Sequence, residues 1–229
     1  MTEFRPGSFQ VIPPVIKNLI IANVLVFFAQ QIFPNMDNLF ALHDIHSVYF
    51  KPYQLITYLF MHGGVEHILF NMFALWMFGS ILENVWGGKR FLTFYFLCGL
   101  GSAALHLVVL YYEMAPVMET FHLLPLSDQQ DLLYSNTFRV NEATIGASGA
   151  VFGCLAAFGY LFPNSLIYLY FFVPIKAKWF VLFYAGMELF FGIRNSAGDS
   201  VAHWAHLGGA IVGLILVIYW NKSNKRNFY

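Results

Sequence analysis

Ser148 lies in GASGAVFG, Gly146 to Gly153, where a polar segment gives way to an apolar run. His206 lies in AHLGGAIVG, Ala205 to Gly213. His67 and Asn71 lie in HILFN, four residues apart. A serine beside a histidine is a nucleophile beside its base. A serine at a helix N-terminus also stands in the positive field of unpaired N–H groups. Its own N–H, with side-chain donors from His67 and Asn71, would complete an oxyanion hole, each such donor contributing about 3 kcal/mol. No carboxylate is obviously placed in sequence to orient His206, so the expectation is a Ser148–His206 dyad without a third member. Residue 150 is Ala, so the stretch is not the G-x-S-x-G elbow of soluble hydrolases.

The elements that must position these residues are apolar helices. Hydrophobic residues make up 59% of the 229 and charged residues only 10%, against about 25% charged in a soluble domain. The composition implies an all-α polytopic membrane protein. Six spans are predicted: about Pro14–Phe33, Val65–Trp86, Lys89–Tyr112, Ser148–Phe162, Lys178–Ile193 and Val201–Trp220. Pro13 and Pro14 suit the first helix's opening turn, and GGKR, Gly87 to Arg90, makes a tight link. Residues 34–64 read as interfacial runs, residues 113–142 as a polar, acidic loop, and residues 165–178, interrupted by Pro174, as a loop or half-inserted segment. The domain reading is a cytoplasmic segment 1–13, a transmembrane domain 14–220 and a basic tail 221–229. No secretory signal is expected at the N-terminus.

With the N-terminus in the cytoplasm, Arg5, Lys17, Lys89, Arg90, Lys176, Lys178, Lys222, Lys225 and Arg226 face inside, and Lys51, Arg139 and Arg194 face outside. Nine against three favours both termini in the cytoplasm. The second, fourth and sixth spans then run from outside to inside, and His67, Asn71, Ser148 and His206 fall within roughly 10 Å of one depth. Gly149 and Gly153 face one helix side, and Gly209 and Gly213 another; such faces let backbones approach closely in lipid.

Ionisable groups inside spans are functional suspects. Glu83, His106, Glu188 and His203 complete that set. His106 and Glu188 read as packing or gate residues, and His203 as structural or water-facing. His203 and His206 have the i, i+3 spacing of metal ligands, but without H-E-x-x-H no metal is expected. Cys98 and Cys154, both in apolar runs, read as packing residues rather than a disulfide. Zero net charge gives a nucleic-acid partner no electrostatic basis.

The three motifs HILFN, GASGAVFG and AHLGGAIVG, in this order on alternating spans, resemble those of the rhomboid intramembrane serine proteases of bacterial type. The match covers about residues 14–220. The resemblance implies a six-transmembrane-helix bundle around a water-filled site open to the outside, in a bacterial inner membrane. It implies cleavage of single-span membrane proteins near their outer boundary, with no cofactor. Carried over, Ser148 is the nucleophile and His206 the base, and His67, Asn71 and the Ser148 N–H form the oxyanion hole. Gly146 and Gly149 give the serine its turn and its room, and Glu83 holds the inner end of the second span. The fifth span is the gate for substrate. Two positions depart from the pattern: Tyr53-Gln54 stands where bacterial relatives often have Trp-Arg, and Phe152 where many have Tyr. The rival readings are an inactive rhomboid-like protein that binds membrane clients, and a transporter, which the absence of an internal repeat disfavours.

Overall fold

The computed structural model describes residues 9–135, 137–169, 172–194 and 202–223. Arg5, Lys225, Arg226, residues 1–8 of the N-terminal segment and residues 224–229 of the tail lie outside the described residues.

Helix α1, Pro14–Ile32, opens on a proline pair and has no side-chain cap of its own. Its first N–H groups are capped from another helix: Val15 and Ile16 donate to the two Glu83 carboxylate oxygens at 3.0 and 2.8 Å. A buried anion at a helix N-terminus satisfies orphan donors and opposes the helix dipole. Glu83 belongs to the second long helix, Val65–Trp86, which is built from α4 (Val65–Ala74), a π-helical turn (Leu75–Gly79) and α5 (Ser80–Trp86). The turn packs against α1 at Gly79, where any Cβ would run into the Ile16 side chain.

Between α1 and α4 a long loop, the outer loop of the expected orientation, carries α2 (Met36–Phe40), α3 (Gln54–Thr57) and a 3-10 turn, Tyr58–Phe60. Gln54 organises this loop. Fully buried, it donates to the Asn38, Leu39 and Tyr49 carbonyls and accepts from the His43 and Lys51 N–H groups. Tyr58 then ties the loop to the bundle by donating to the Gly99 carbonyl at 2.8 Å.

Helix α6, Gly88–His122, follows the positive-φ Gly87 and has 35 residues, roughly 52 Å of helix against a hydrocarbon core of about 30 Å. It continues ten residues past the Tyr112 end expected from sequence. Glu113 and Glu119 made that stretch read as loop, but Met114, Val117, Met118 and Phe121 form an apolar face spaced by three and four residues. That face packs on Phe138 and Val140 in a second small core outside the bundle. The expected loop 113–142 is thus the end of α6, then α7 (Leu126–Leu133) and a 3-10 turn, Arg139–Asn141. The chain returns to the outer loop by a Leu42–Thr144 bridge and the Ser47 hydroxyl donating to Asn141.

Helix α8 is Ser148–Leu161. Residues 165–178 correct the loop expectation. Two antiparallel strands pair there, β1 (Leu166–Leu169) with β2 (Val173–Lys176), in which Tyr168 faces Pro174, and Ala177 and Lys178 begin the next helix. A proline lacks the ladder donor, and a two-stranded sheet offers the edge position it tolerates. Helix α9, Ala177–Arg194, and helix α10, His203–Ser223, complete the bundle.

Helix α10 packs between α6 and α8 along its glycines. A Cβ at Gly208 would meet the Gly101 carbonyl, one at Gly209 would fall onto the Gly149 carbonyl, and one at Gly213 would meet the Gly153 backbone. Cys98 and Cys154 are free and buried. Among the described residues, four helices are long and apolar enough to cross a membrane: Pro14–Ile32, Val65–Trp86, Gly88–His122 and His203–Ser223. The other two expected spans fall outside that set. Helix α8 has 14 residues, roughly 21 Å, and α9 carries Lys178, Glu188 and Arg194 in its 18.

Candidate active site

The turn into α8 places Ser148. Gly146 has φ +124°, a region open to glycine and strained for other residues. Its N–H donates to the Tyr58 carbonyl, which fixes the turn against the outer loop. Ser148 is the first residue of α8 and follows Ala147 without a side-chain cap. Its N–H belongs to the orphan donors of the helix start. The Gly149–Gly209 approach brings α10 against this end of α8, and with it His206.

Ser148 Oγ and His206 Nε2 are 2.8 Å apart. Both residues are half-buried. Phe152, one turn along α8, lies parallel to the His206 ring at 4.3 Å between centroids and 5° between planes. Phe152 makes this stack without a hydroxyl, and Tyr184 of α9 packs against Phe152.

His67 and Asn71 stand one turn apart on α4, and His67 reaches the turn before α8. His67 Nδ1 accepts from the Gly63 N–H at 3.2 Å. The neutral ring therefore carries its proton on Nε2. That Nε2 lies beside Gly146, where a Cβ would stand only 2.8 Å from it and 3.6 Å from Ser148 Oγ. Asn71 Nδ2 donates to the His67 carbonyl at 3.0 Å; its second hydrogen has no acceptor among the described residues. His62 closes the outer side of this pair. Its ring meets His67 edge-on at 5.1 Å, and burial, with the His67 charge adding to it, pushes its pKa down to about 4.

One expectation is corrected by the geometry. A carboxylate does reach His206: Glu188 Oε2, from α9, is 3.0 Å from His206 Nδ1. The same oxygen is 2.6 Å from His203 Nδ1. Glu188 is buried, and His203 also stacks on Phe191. Sequence reasoning named both residues but left them outside the site. The signal available was an ionisable residue in the fifth span beside a sixth span with two histidines; what it lacked was the relative depth of two antiparallel helices. Glu188, His203 and His206 bring ligand-type atoms within 4.8 Å of one another. Both imidazole nitrogens address one carboxylate oxygen at hydrogen-bond distance, so the set reads as a hydrogen-bonded network rather than a metal centre. His106 is buried in α6 with Nε2 2.6 Å from the Thr144 hydroxyl, and it lines the same cavity as His203. Glu83 is away from the serine, at the α1 N-terminus.

Fold and site together define a helical polytopic membrane protein with a serine–histidine pair at the start of a short helix. The family model described as the Rhomboid domain matches residues 49–223. The chain belongs to the rhomboid family. It is 29% identical over 217 residues to RHOMBOID-like protein 12, mitochondrial, of Arabidopsis thaliana, covering 93% of this chain and 60% of that protein. It is 29% identical over 169 residues to Rhomboid protein 1, mitochondrial, of Saccharomyces cerevisiae, covering 72% of this chain and 40% of that one. It is 25% identical over 221 residues to the rhomboid protease AarA of Providencia stuartii, covering 87% of this chain and 70% of that protein. The chain thus spans about half the length of the two mitochondrial relatives.

Proposed function

We propose that this chain is an intramembrane serine endopeptidase that cleaves single-span membrane proteins near their outer boundary. The observation that carries the reading is the 2.8 Å approach of His206 Nε2 to Ser148 Oγ, in a chain of a family that includes named proteases.

Ser148 Oγ attacks the scissile carbonyl carbon, a C–O bond forms, and the hydroxyl proton passes to His206 Nε2. The developing oxyanion is held by the Ser148 N–H, His67 Nε2–H and the second Asn71 amide hydrogen. Collapse breaks the C–N bond, and the proton on Nε2 goes to the leaving amine. Water, deprotonated by the same histidine, then hydrolyses the acyl-enzyme. These steps use only this chain's side chains and backbone.

In the bilayer, the proposal has six spans, with α8 and α9 joining the four longer helices, and both termini in the cytoplasm. Helix α8 is short because it opens below the outer surface, at the depth where water meets the serine. Helix α9 is the gate through which a transmembrane substrate arrives. Residues 1–13 and 221–229 are the cytoplasmic flanks of the 14–220 domain. The membrane is proposed as a bacterial inner membrane; the mitochondrial relatives make a mitochondrial membrane the alternative.

The experiment is labelling of the detergent-purified protein with a fluorescent fluorophosphonate. The proposal expects one labelled site, lost in Ser148→Ala and strongly reduced in His206→Ala. Labelling that persists in Ser148→Ala overturns the nucleophile. An unlabelled wild type that cleaves no transmembrane substrate supports a client-binding member of the family instead.

A further inference from the structure

We infer that Glu188 is a third member of the site, a positioning carboxylate that fixes the tautomer and orientation of His206. The inference rests on the serine–histidine reading and deepens it.

An ionised carboxylate has acceptors only. Glu188 Oε2 lies at 3.0 Å from His206 Nδ1 and 2.6 Å from His203 Nδ1. Both nitrogens therefore donate, and each neutral ring has its proton on Nδ1. His206 Nε2 is then left with its lone pair aimed at Ser148 Oγ, 2.8 Å away. This is the protonation a general base requires. When Nε2 takes the serine proton, the ring becomes an imidazolium, and the carboxylate on its far side stabilises that charge.

Burial supports the assignment. Glu188 is 7% exposed within an apolar helix, and a buried carboxylate is retained only where donors pay for its desolvation. Two imidazoles supply them. His203 acts on the carboxylate rather than on the serine: it holds Oε2 from the preceding turn of α10 and is itself stacked on Phe191. The parallel Phe152 ring fixes the plane of His206, leaving rotation within that plane to be set by its two ring nitrogens. Ser148 holds one and Glu188 the other.

The chemistry that tests this is phosphonylation, in which a Ser148 O–P bond forms, the P–F bond breaks, fluoride leaves and the serine proton goes to His206. The saturation kinetics of fluorophosphonate labelling separate probe binding, KI, from the chemical step, kinact. Glu188→Gln conserves shape and removes charge. It is expected to lower kinact by up to about 10⁴-fold, the loss seen when a triad aspartate is neutralised, with KI unchanged. Glu188→Asp, which restores the charge, is expected to recover part of the loss. Nitrogen-15 spectra of histidine-labelled protein are expected to show His206 protonated at Nδ1 in the wild type and at Nε2 in Glu188→Gln. An unchanged kinact in Glu188→Gln overturns the inference. So does a lowered kinact in which the Nδ1–H tautomer persists. Should Glu188→Gln not fold, the wild-type spectrum decides: an Nε2–H tautomer for His206 overturns the inference and an Nδ1–H tautomer upholds it. The two readings fail separately. Labelling that survives Ser148→Ala overturns the serine–histidine pair, whereas labelling confined to Ser148 with a wild-type kinact in Glu188→Gln overturns only the carboxylate's part.

Discussion

Two histidines face the serine, and the hydrogen bonds they make call for opposite tautomers. The Gly63 N–H gives His67 a proton on Nε2, so that ring is a donor toward the serine. Glu188 gives His206 a proton on Nδ1, so that ring is an acceptor. In the proposed mechanism identical side chains take the two roles a hydrolase needs, a donor for the oxyanion and a base for the nucleophile. His67→Ala removes one oxyanion donor and is expected to lower kcat by about 10²–10³-fold, with the helical circular dichroism of the wild type retained. Wild-type turnover in His67→Ala would remove that residue from the oxyanion hole. Gly146→Ala places a methyl group on His67 Nε2 and strains a residue at positive φ. It is expected to cost stability of about 1–3 kcal/mol, read as a lower Tm, and to slow labelling of Ser148 in the protein that remains folded.

At the scale of elements, the site depends on how closely α10 can approach α8. Gly209 touches the Gly149 carbonyl with no space for a Cβ. Gly209→Ala forces the two helices apart and is expected to cost about 2 kcal/mol, several degrees in Tm, and to slow Ser148 labelling as His206 withdraws. Unchanged Tm and labelling would mean that the helices have slack at this contact. A different element contact holds α1. Glu83→Gln removes the charge that caps the first two helical N–H groups after Pro14 and is expected to cost about 1 kcal/mol, measured as a lower Tm in detergent.

Much of this arrangement is legible in sequence. Serine, histidine and asparagine at helix starts stand out because polar groups in lipid are costly, and the glycine spacing on two helices points to their approach. What resisted reading has physical reasons. The outer end of α6 carries acids on one face, and its apolar face meets Phe138 and Val140 far along the chain, a pairing that periodicity alone does not reveal. The strand pair 166–169 and 173–176 contains a proline, and only its two-stranded edge makes that acceptable. Glu188 escaped because its partners lie across a helix pair whose register depends on packing, and because a lone acid in a span reads equally as a gate.

At the scale of the molecule, the loop between α1 and α4 and a second small core sit beside a helical bundle. The outer loop is pinned to α1 through Gln30, whose carbonyl oxygen accepts from the His62 N–H at 2.9 Å and whose amide donates to Asp37. His62 is 2% exposed, and its pKa lies at about 4 against an ordinary 6.5, chiefly through burial. His43, also buried in this loop, is lowered in the same direction and for the same leading reason. A histidine with a depressed folded pKa binds protons more readily once unfolded. Its contribution to stability is therefore present above pH 6.5 and lost as pH falls toward 4. Tm in detergent is expected to fall across that interval, and His62→Gln to flatten the fall without abolishing it, since His43 remains. A fall of unchanged size in His62→Gln would place the acid sensitivity elsewhere.

The proposed activity is that of a serine working inside a membrane, and it is best tested in a membrane. The purified protein is reconstituted into liposomes with a single-span substrate, and the products are mapped by mass spectrometry. The expected result is cleavage within the substrate's apolar segment near its outer end, abolished by Ser148→Ala and by His206→Ala. Cleavage that continues in Ser148→Ala, or that falls only in the substrate's water-exposed regions, would contradict it.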